Sequence, residues 1–308
     1  MPFTNFPNGI SSMGIPLIGG TKITTGSVFF VDSATGSDGN NGKSKDRPFA
    51  TLDYAIGKCT ANKGDIIYVM PNHSETLAAA GQLFDADVAG ISIIGLGNGD
   101  NMPLFDLNHA DAECVVGASN VLIENLNFHA NVSDVKIGLD IEAACTYVTV
   151  RGCLFTVEAT TTDEFLISIQ SNAGNSYLTI ENNEINMGLG GAVHGVKLTG
   201  AHLYPKVVNN IITGDYTTAC VGGITTLSQN ILIKGNYLIQ GIGGNIGAVA
   251  AIVMLTGTTG VIADNYIVCN LATKALSIVA DQCFYFENYY NEDVTGTGGI
   301  IGAASADD

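Results

Sequence analysis

Acidic side chains at the corners of a repeated strand pattern are the first candidates for chemistry in this chain. Hydrolysis of a glycosidic bond requires two or three Asp or Glu carboxylates that converge on one groove, one as an acid and another as a base or nucleophile. Asp264 lies at one such corner, but Gly235 and Glu287, which the repeat places in the adjacent turns, complete no carboxylate cluster. The sequence therefore predicts no catalytic residue.

Three other features invite a catalytic or metal-binding interpretation. His194 follows Val193 in a predicted strand, and we interpret it as an ordinary strand histidine because a general base needs positioned partners. A lyase would need an arginine or lysine base beside calcium-binding carboxylates, but Arg151 lies at a corner where a solvated side chain is favoured. The loop that starts at Asp38 resembles a calcium loop, yet Phe49 stands where an EF-hand has its closing Glu. We therefore predict no metal and no cofactor.

Aromatic and amide side chains recur at the later corners of the pattern. The tyrosines form either a sugar-binding strip or a ladder of stacked rings, and these alternatives stay open; they are Tyr237, Tyr266, Tyr289 and Tyr290. Asn tolerates the left-handed backbone of a sharp corner, and stacked amides can hydrogen-bond along a column. The predicted structural corner ladder consists of Asn183, Asn210, Asn236, Asn265 and Asn288.

These corners belong to a repeat that extends from about residue 91 to residue 291. Each copy is an alternating apolar strand, a short polar corner and a further apolar residue, as in 178–185, 231–238 and 261–267. Successive copies lie roughly 23 to 30 residues apart, a period typical of solenoids. A second apolar run in each period leaves no room for a crossover helix, which favours a parallel β-helix of about eight turns.

Composition restricts the possible partners. The 308 residues are 46% hydrophobic and 13% charged, with a net charge of −17. Nucleic acids and anionic membranes bind clustered Lys and Arg, so neither is a predicted partner, and polyanionic substrates such as pectate or alginate are disfavoured. Seven cysteines without CxxC spacing are interpreted as buried free thiols in a reducing compartment. The N-terminus does not have the pattern of a secretory signal, and no apolar run is long enough to span a membrane.

Four segments can be drawn along the chain: an extended arm at 1–27, an opening segment with the first turn at 28–90, β-helix turns at 91–294, and a tail at 295–308. The stretch 48–57 predicts an amphipathic helix that caps the first turn. Apolar residues in the arm suggest that it packs along its own column or attaches to a partner, and both alternatives stay open. The candidate attachment residues are Phe3, Phe6, Ile10, Ile15 and Leu17.

The opening segment resembles a known family. Its phrases 30–42, 47–56 and 64–71 resemble the first segment of right-handed parallel β-helix proteins of the pectate-lyase-like superfamily. Together with the Pro- and Gly-containing arm, they resemble virion proteins of tailed bacteriophages, of the capsid decoration or spike type. In such proteins the β-helix usually forms a trimer that stands on the capsid or tail. The Asn-Thr-Asp, Asp-Asp and Gly-His-Gly phrases of the family's galacturonases are absent from the repeat.

The fold prediction is all-β, a right-handed parallel β-helix with an N-terminal arm and a short capping helix. The function predicted from the resemblance is a non-catalytic structural virion protein, a homotrimeric capsid decoration anchored by its arm to the major capsid protein or another virion protein. It would be made in the host cytoplasm and lie on the capsid surface rather than the tail. The alternative is a tail spike or fibre that binds or depolymerises a host surface polysaccharide. No nucleic acid, membrane or cofactor is expected.

Overall fold

Three parallel β-sheets, built from successive turns of one coil, form the structure of this chain, which is a computed structural model. Each complete turn adds one strand to sheet 1, one to sheet 2 and one to sheet 3, in that order along the chain. This arrangement confirms the predicted parallel β-helix. The structure describes residues 11–12, 15–16, 24–158, 162–188, 191–223, 227–241, 250–269, 277–278, 283–292 and 298–301.

The strand bounds are as follows. Sheet 1 comprises Val28–Val31, Ile66–Val69, Ser92–Gly95, Leu122–Glu124, Thr149–Arg151, Thr179–Glu181, Lys206–Val208, Ile231–Lys234, Gly260–Ala263 and Cys283–Phe286. Sheet 2 comprises Ser74–Leu77, Leu104–Leu107, Asn127–Ala130, Leu154–Val157, Glu184–Asn186, Ile211–Gly214, Tyr237–Gln240, Tyr266–Cys269, Asn288–Glu292 and Gly298–Ile301. Sheet 3 comprises Gly81–Asp85, Ala112–Val116, Val135–Ile141, Phe165–Ser171, His194–Leu198, Ala219–Gly223, Ile252–Met254 and Ser277–Ile278.

Alternation along each strand decides which side chains enter the core. In sheet 1, Val150, Ile180 and Val207 occupy the same register position in three consecutive turns, and all three are buried. Their strand neighbours point outward because successive side chains of a strand face opposite sides of the sheet. Aromatic rings stack inside the coil in the same way, with the Phe128 and Phe155 centroids 4.8 Å apart. The core is therefore one continuous column.

The recurring asparagines form a hydrogen-bonded column at the corner between sheets 1 and 2. The Oδ1 atom of Asn210 accepts from the backbone N–H and from Nδ2 of Asn183, each at 3.0 Å. Its own Nδ2 donates to the Ile180 carbonyl and to Oδ1 of Asn236, again at 3.0 Å. Asn265 and Asn288 continue the same pattern. These amides satisfy buried backbone groups that the sharp corner leaves outside the sheet ladders.

The first turn is capped by one short α-helix, Leu52–Ile56, which is shorter than the helix predicted for 48–57. Phe49 is buried as expected, but it reaches the core through a β-bridge to Val31 rather than through a helical face. Thr51 is extended, so the helix cannot begin earlier. The Leu52 N–H donates to Oε1 of Glu75 at 2.7 Å, which ties the helix to the first strand of sheet 2. A 3₁₀-helix at Gly99–Asn101 is the other described helical segment.

The two ends of the chain are described only in part. Within the predicted arm, Ser11–Ser12 pairs antiparallel with Ile15–Pro16. The predicted attachment residues Phe3, Phe6, Ile10 and Leu17 lie outside the described residues, as does the Ile15 side chain. At the other end, 298–301 was predicted to belong to a tail but forms a strand antiparallel to Asn288–Glu292. No described helix is long and apolar enough to cross a membrane.

Glu164, just before a strand of sheet 3, carries a buried carboxyl group that makes stability depend on pH. The residue is 2% exposed, and its Oε2 atom has no hydrogen-bond partner within the described chain. Burial raises its pKa from 4.5 to about 7, with the nearby Asp134 carboxylate adding to the effect. The folded state therefore binds the proton more tightly than the unfolded state, so this group costs stability as pH rises from about 4.5 through about 7.

We expect Glu164→Gln to stabilise the protein above pH 7 by about 1 kcal/mol, because the amide removes the cost of ionising a buried carboxyl group. The gain should shrink as the pH is lowered through about 7 and should be lost below 4.5, where the wild-type carboxyl is protonated in both states. Thermal unfolding of both proteins across this pH range measures the difference. A difference that is independent of pH would show that ionisation of Glu164 is not its cause.

Candidate functional site

Carboxylates from three consecutive turns gather on the outward face of sheet 3. Asp85 and Asp140 share one register position, with Val115 between them. The preceding residues of the first two strands, Phe84 and Cys114, are buried in the core, so Asp85 points outward. The full acidic cluster consists of Asp85, Asp87, Glu113, Asp140 and Glu142.

Two of these carboxylates converge over a glycine. A Cβ atom at Gly117 would lie 2.9 Å from Oδ1 of Asp85 and 3.2 Å from Oε2 of Glu142. The sum of these distances sets an upper limit of about 6 Å on the separation of the two oxygens. Gly117 does not have a left-handed φ, so its backbone does not require glycine. Glycine lets the two carboxylates approach the backbone more closely than a side chain would allow, and we call this point of approach the Gly117 gap.

The surroundings of the acidic cluster favour protonated carboxyl groups. Burial raises the pKa of Asp85, and the charges of Asp87, Glu142 and Asp53 raise it further. Burial also raises the pKa of Glu113, with contributions from Asp140, Glu142 and Asp85. Oδ1 of Asp85 is buried without a hydrogen-bond partner among the described residues, although a backbone hydrogen bond from Gly117 to the carboxylate lowers its pKa in part. A carboxyl group in this state can act as a general acid at a pH where an exposed Asp cannot.

Amide groups and one lysine follow the carboxylates along the same face. Oδ1 of Asp140 accepts from Nε2 of Gln170 at 3.2 Å and from Nδ2 of Asn172 at 2.8 Å. Lys197 comes next in register after Gln170. An open cavity of about 550 Å³ lies here, lined by Asp140, Glu142, Ala143, Asn172, Ala173 and Thr199. The face therefore changes from acidic to neutral polar to basic over a few turns, which suits an extended ligand rich in hydroxyl groups.

The residues singled out from sequence lie elsewhere. Oδ2 of Asp264 pairs with Nζ of Lys234 at 3.0 Å, and Arg151, which was expected to be solvated, donates from Nη2 to Oε2 of Glu124 at 2.9 Å. His194 is 2% exposed, neither ring nitrogen has a partner within the described chain, and burial lowers its pKa to about 4. A neutral, enclosed imidazole agrees with a strand histidine. Oδ1 of Asp38 accepts from the backbone N–H of Ala50 at 3.0 Å.

The tyrosines near the last corners form stacked rings. Tyr237 and Tyr266 are partners in register on the outer face of sheet 2, with centroids 5.4 Å apart and planes 13° apart. Tyr289 continues the same register and is exposed, whereas the Tyr290 side chain lies outside the description. Stacked rings cover each other's faces, so this column offers ring edges rather than a sugar-binding face.

A polar cluster on the outer face of sheet 2 escaped the sequence analysis. Nδ1 of His129 lies 3.0 Å from Oδ1 of Asp106, and Oδ2 of Asp106 accepts from Asn131 and Thr76. Every oxygen of this half-buried carboxylate is satisfied by a neighbour, so we interpret the cluster as structural. Within the described part of the chain, no group of three His, Cys, Asp or Glu residues has an arrangement that could hold a metal ion.

Comparisons with known proteins agree with the fold. No protein-family model and no curated protein matches the chain. Among solved structures, pectate lyase Pel9A is 12% identical with a TM-score of 0.49, covering 87% of this chain and 77% of the other. The GH136 lacto-N-biosidase from Eubacterium ramulus is 12% identical with a TM-score of 0.43, covering 87% and 64%. A tailspike protein double mutant of E. coli bacteriophage HK620 is 13% identical with a TM-score of 0.41, covering 80% and 59%.

The parallel β-helix fold is established by the strand order of the chain itself. One prediction from sequence needs correction. The expectation that the chain is not an enzyme is contradicted, and the solved structures that the comparison found include a lyase and a glycosidase. The reason for that expectation was the missing carboxylate cluster, and sheet 3 carries one. A capsid decoration role finds no support in the comparisons.

Proposed function

We propose that this protein is a polysaccharide depolymerase of the tail spike type, which cleaves a neutral glycan at the Gly117 gap. The observation that carries the proposal is the convergence of the Asp85 and Glu142 carboxylates over a position without a side chain. A structural face of a β-helix has no need to bring like charges together, because their repulsion destabilises the fold. Such arrangements are typical of functional sites.

The two carboxyl groups take different roles in the proposed reaction. Asp85, whose pKa is raised by burial and by its acidic neighbours, donates a proton to the oxygen of the glycosidic bond as that bond breaks. Glu142, exposed on the other side of the gap, attacks the anomeric carbon, and water then hydrolyses the glycosyl-enzyme intermediate with Asp85 acting as the base. Because the two oxygens lie at most about 6 Å apart, too close for the wider spacing of inverting enzymes, the proposed outcome is retention of the anomeric configuration.

The charge of the site restricts its substrate. With a net charge of −17, and five carboxylates around the gap, the protein repels polyanions, so the substrate is a neutral glycan. Gln170 and Asn172, which hydrogen-bond to Asp140 in the adjacent turn, supply amide groups that can also orient sugar hydroxyls. The proposal extends to a homotrimer on a bacteriophage tail, with a host surface glycan as substrate. It is supported by the resemblance of the opening segment and arm to virion proteins.

The test is an activity screen with the full chain. Purified protein is incubated between pH 4 and pH 8 with dextran, mannan, galactan and neutral O-polysaccharides from several bacteria. New reducing ends and loss of polymer length are measured. We expect release of oligosaccharides from at least one neutral glycan, without the ultraviolet absorbance of an unsaturated sugar. Unsaturated products would show that the protein is a lyase and not a hydrolase. If every polymer of the panel were left intact, the proposed function would be contradicted.

A further inference from the structure

A second column of stacked tyrosines lies at the corner between sheets 3 and 1, where the sequence analysis singled out no residue. Tyr147, Tyr177 and Tyr204 occupy this corner in three consecutive turns. Their rings stack with centroids 4.6 and 5.2 Å apart, and their exposed fractions are 54%, 42% and 41%. All three residues have left-handed backbones, with φ of 57°, 55° and 57°.

Tyrosine is an unusual choice for such a corner. Asn120 and Asn230 occupy the equivalent position in the preceding and following turns, with φ of 59° and 55°. Asn adopts the left-handed region readily, whereas a bulky aromatic residue adopts it with strain. Residues in strained backbone conformations concentrate at functional sites, where the side chain has a role that outweighs the energetic cost of the strain. In three turns this corner therefore has a tyrosine, although the left-handed backbone conformation favours Asn.

One end of the tyrosine column opens into a cavity. The preceding turn has Asn120 rather than a ring, so the face of Tyr147 that does not contact Tyr177 has no aromatic partner among the described residues. A cavity of about 800 Å³ lies on this side, and its lining includes Tyr68, Asn120, Leu122, Glu124, Tyr147 and Arg151. This Tyr147 cavity thus combines one free aromatic face with apolar walls and polar groups.

The polar groups of the cavity are arranged to orient a ligand. Arg151 and Glu124 form an ion pair at 2.9 Å on its wall, and both retain further hydrogen-bonding capacity. Tyr68 is 3% exposed, and its hydroxyl has no partner within the described chain. A buried hydroxyl without a partner is costly, and a ligand hydroxyl that reached it would remove that cost.

We propose that the Tyr147 cavity is a glycan-binding subsite, in which a neutral sugar ring stacks on the free face of Tyr147 and its hydroxyls bond to the Glu124–Arg151 pair. A sugar offers both an apolar ring face and a dense set of hydroxyls, and this cavity matches both. Tyr147 lies five residues after Glu142 on the same turn, at the corner that follows sheet 3. The inference rests on the proposed function for the class of ligand, but it concerns binding and not cleavage.

The deciding variant is Tyr147→Asn, which installs the residue that neighbouring turns use at this corner and so keeps the fold. Tyr204→Asn is the matched control, because Tyr204 lies at the far end of the column and does not line the cavity. Binding to the panel of neutral polysaccharides named above is measured by affinity electrophoresis. We expect Tyr147→Asn to weaken retention at least tenfold and Tyr204→Asn to change it less than twofold, with thermal stability kept in both variants.

If the polysaccharide retained Tyr147→Asn as strongly as wild type, the proposed subsite would be overturned. The same holds if no polysaccharide of the panel retained the wild-type protein. A change in oligomeric state with retention intact would assign the cavity to contacts between copies of the chain and would also overturn it. Failure of the proposed function is distinguishable, because wild-type protein would then bind a glycan through Tyr147 without releasing reducing ends.

Discussion

Asp85→Asn and Glu142→Gln are each expected to lower the rate of glycan cleavage by about 10²- to 10⁴-fold, the range that a positioned acid, base or nucleophile contributes. Both changes keep the size of the side chain and remove only its ability to give up or accept a proton. The fold should survive, and removing one negative charge from the acidic cluster should even relieve repulsion. The assay is release of reducing ends from the glycan that the wild-type protein cleaves.

The dependence on pH adds a second signature of these roles. Burial and the neighbouring carboxylates raise the pKa of Asp85, so wild-type activity should persist above the pH at which an exposed Asp is ionised and should fall as pH rises through the raised value. Glu184→Gln, an exposed change on sheet 2, is the matched control and should leave cleavage unchanged. Full activity in Asp85→Asn or Glu142→Gln would remove that residue from the mechanism.

Asn210→Ala is expected to have the largest effect on stability. The amide of Asn210 satisfies two donors of Asn183, the Ile180 carbonyl and Oδ1 of Asn236, all in a buried column. Its removal leaves several of these groups without partners, and each buried unsatisfied group costs about 1 to 3 kcal/mol. We expect a loss of about 3 kcal/mol or more and a fall in Tm of roughly 5 to 10 °C.

The neighbouring corner residue provides the control for this change. Asn209 precedes Asn210, is exposed and has a φ of 55°, and Gly152 and Gly235 take the same place in other turns. Asn209→Gly should therefore shift Tm by no more than about 1 °C. Thermal unfolding measured by circular dichroism compares the two variants. Equal shifts in both would mean that the amide column contributes little beyond the conformation of the corner.

The fold could be predicted from the periodicity of the sequence because local patterns of residues determine the strands and corners. Alternation places Ile180 in the core and Thr179 outside wherever the strand lies, and an Asn marks the end of each sheet 1 strand at the later corners. The predicted capping helix was too long because Phe49 has helical spacing from Leu52 but belongs to a β-bridge. Spacing alone does not separate these two ways of burying the same apolar residues.

The candidate site could not be predicted in the same way. Asp85, Gly117 and Glu142 lie in three different turns, and the lengths of the intervening loops decide which residues share a register position. Sequence analysis considered corners, where the repeat is easiest to align, and so compared Asp264 with its neighbours instead. Gly117 carries no signal of its own, because its importance lies in a space that becomes evident only once the neighbouring turns are stacked.

Gly117→Ala tests the central claim most directly, because it changes no charged or catalytic group. The added methyl would lie 2.9 Å from Oδ1 of Asp85 and 3.2 Å from Oε2 of Glu142, which is too close, and so would push the two carboxylates out of their present positions. The backbone at this position accommodates alanine, so the fold should be kept. The measurement is the rate of reducing-end release by wild type and Gly117→Ala on the same neutral glycan. The account predicts at least a hundredfold loss with Tm unchanged, and cleavage at the wild-type rate would contradict it.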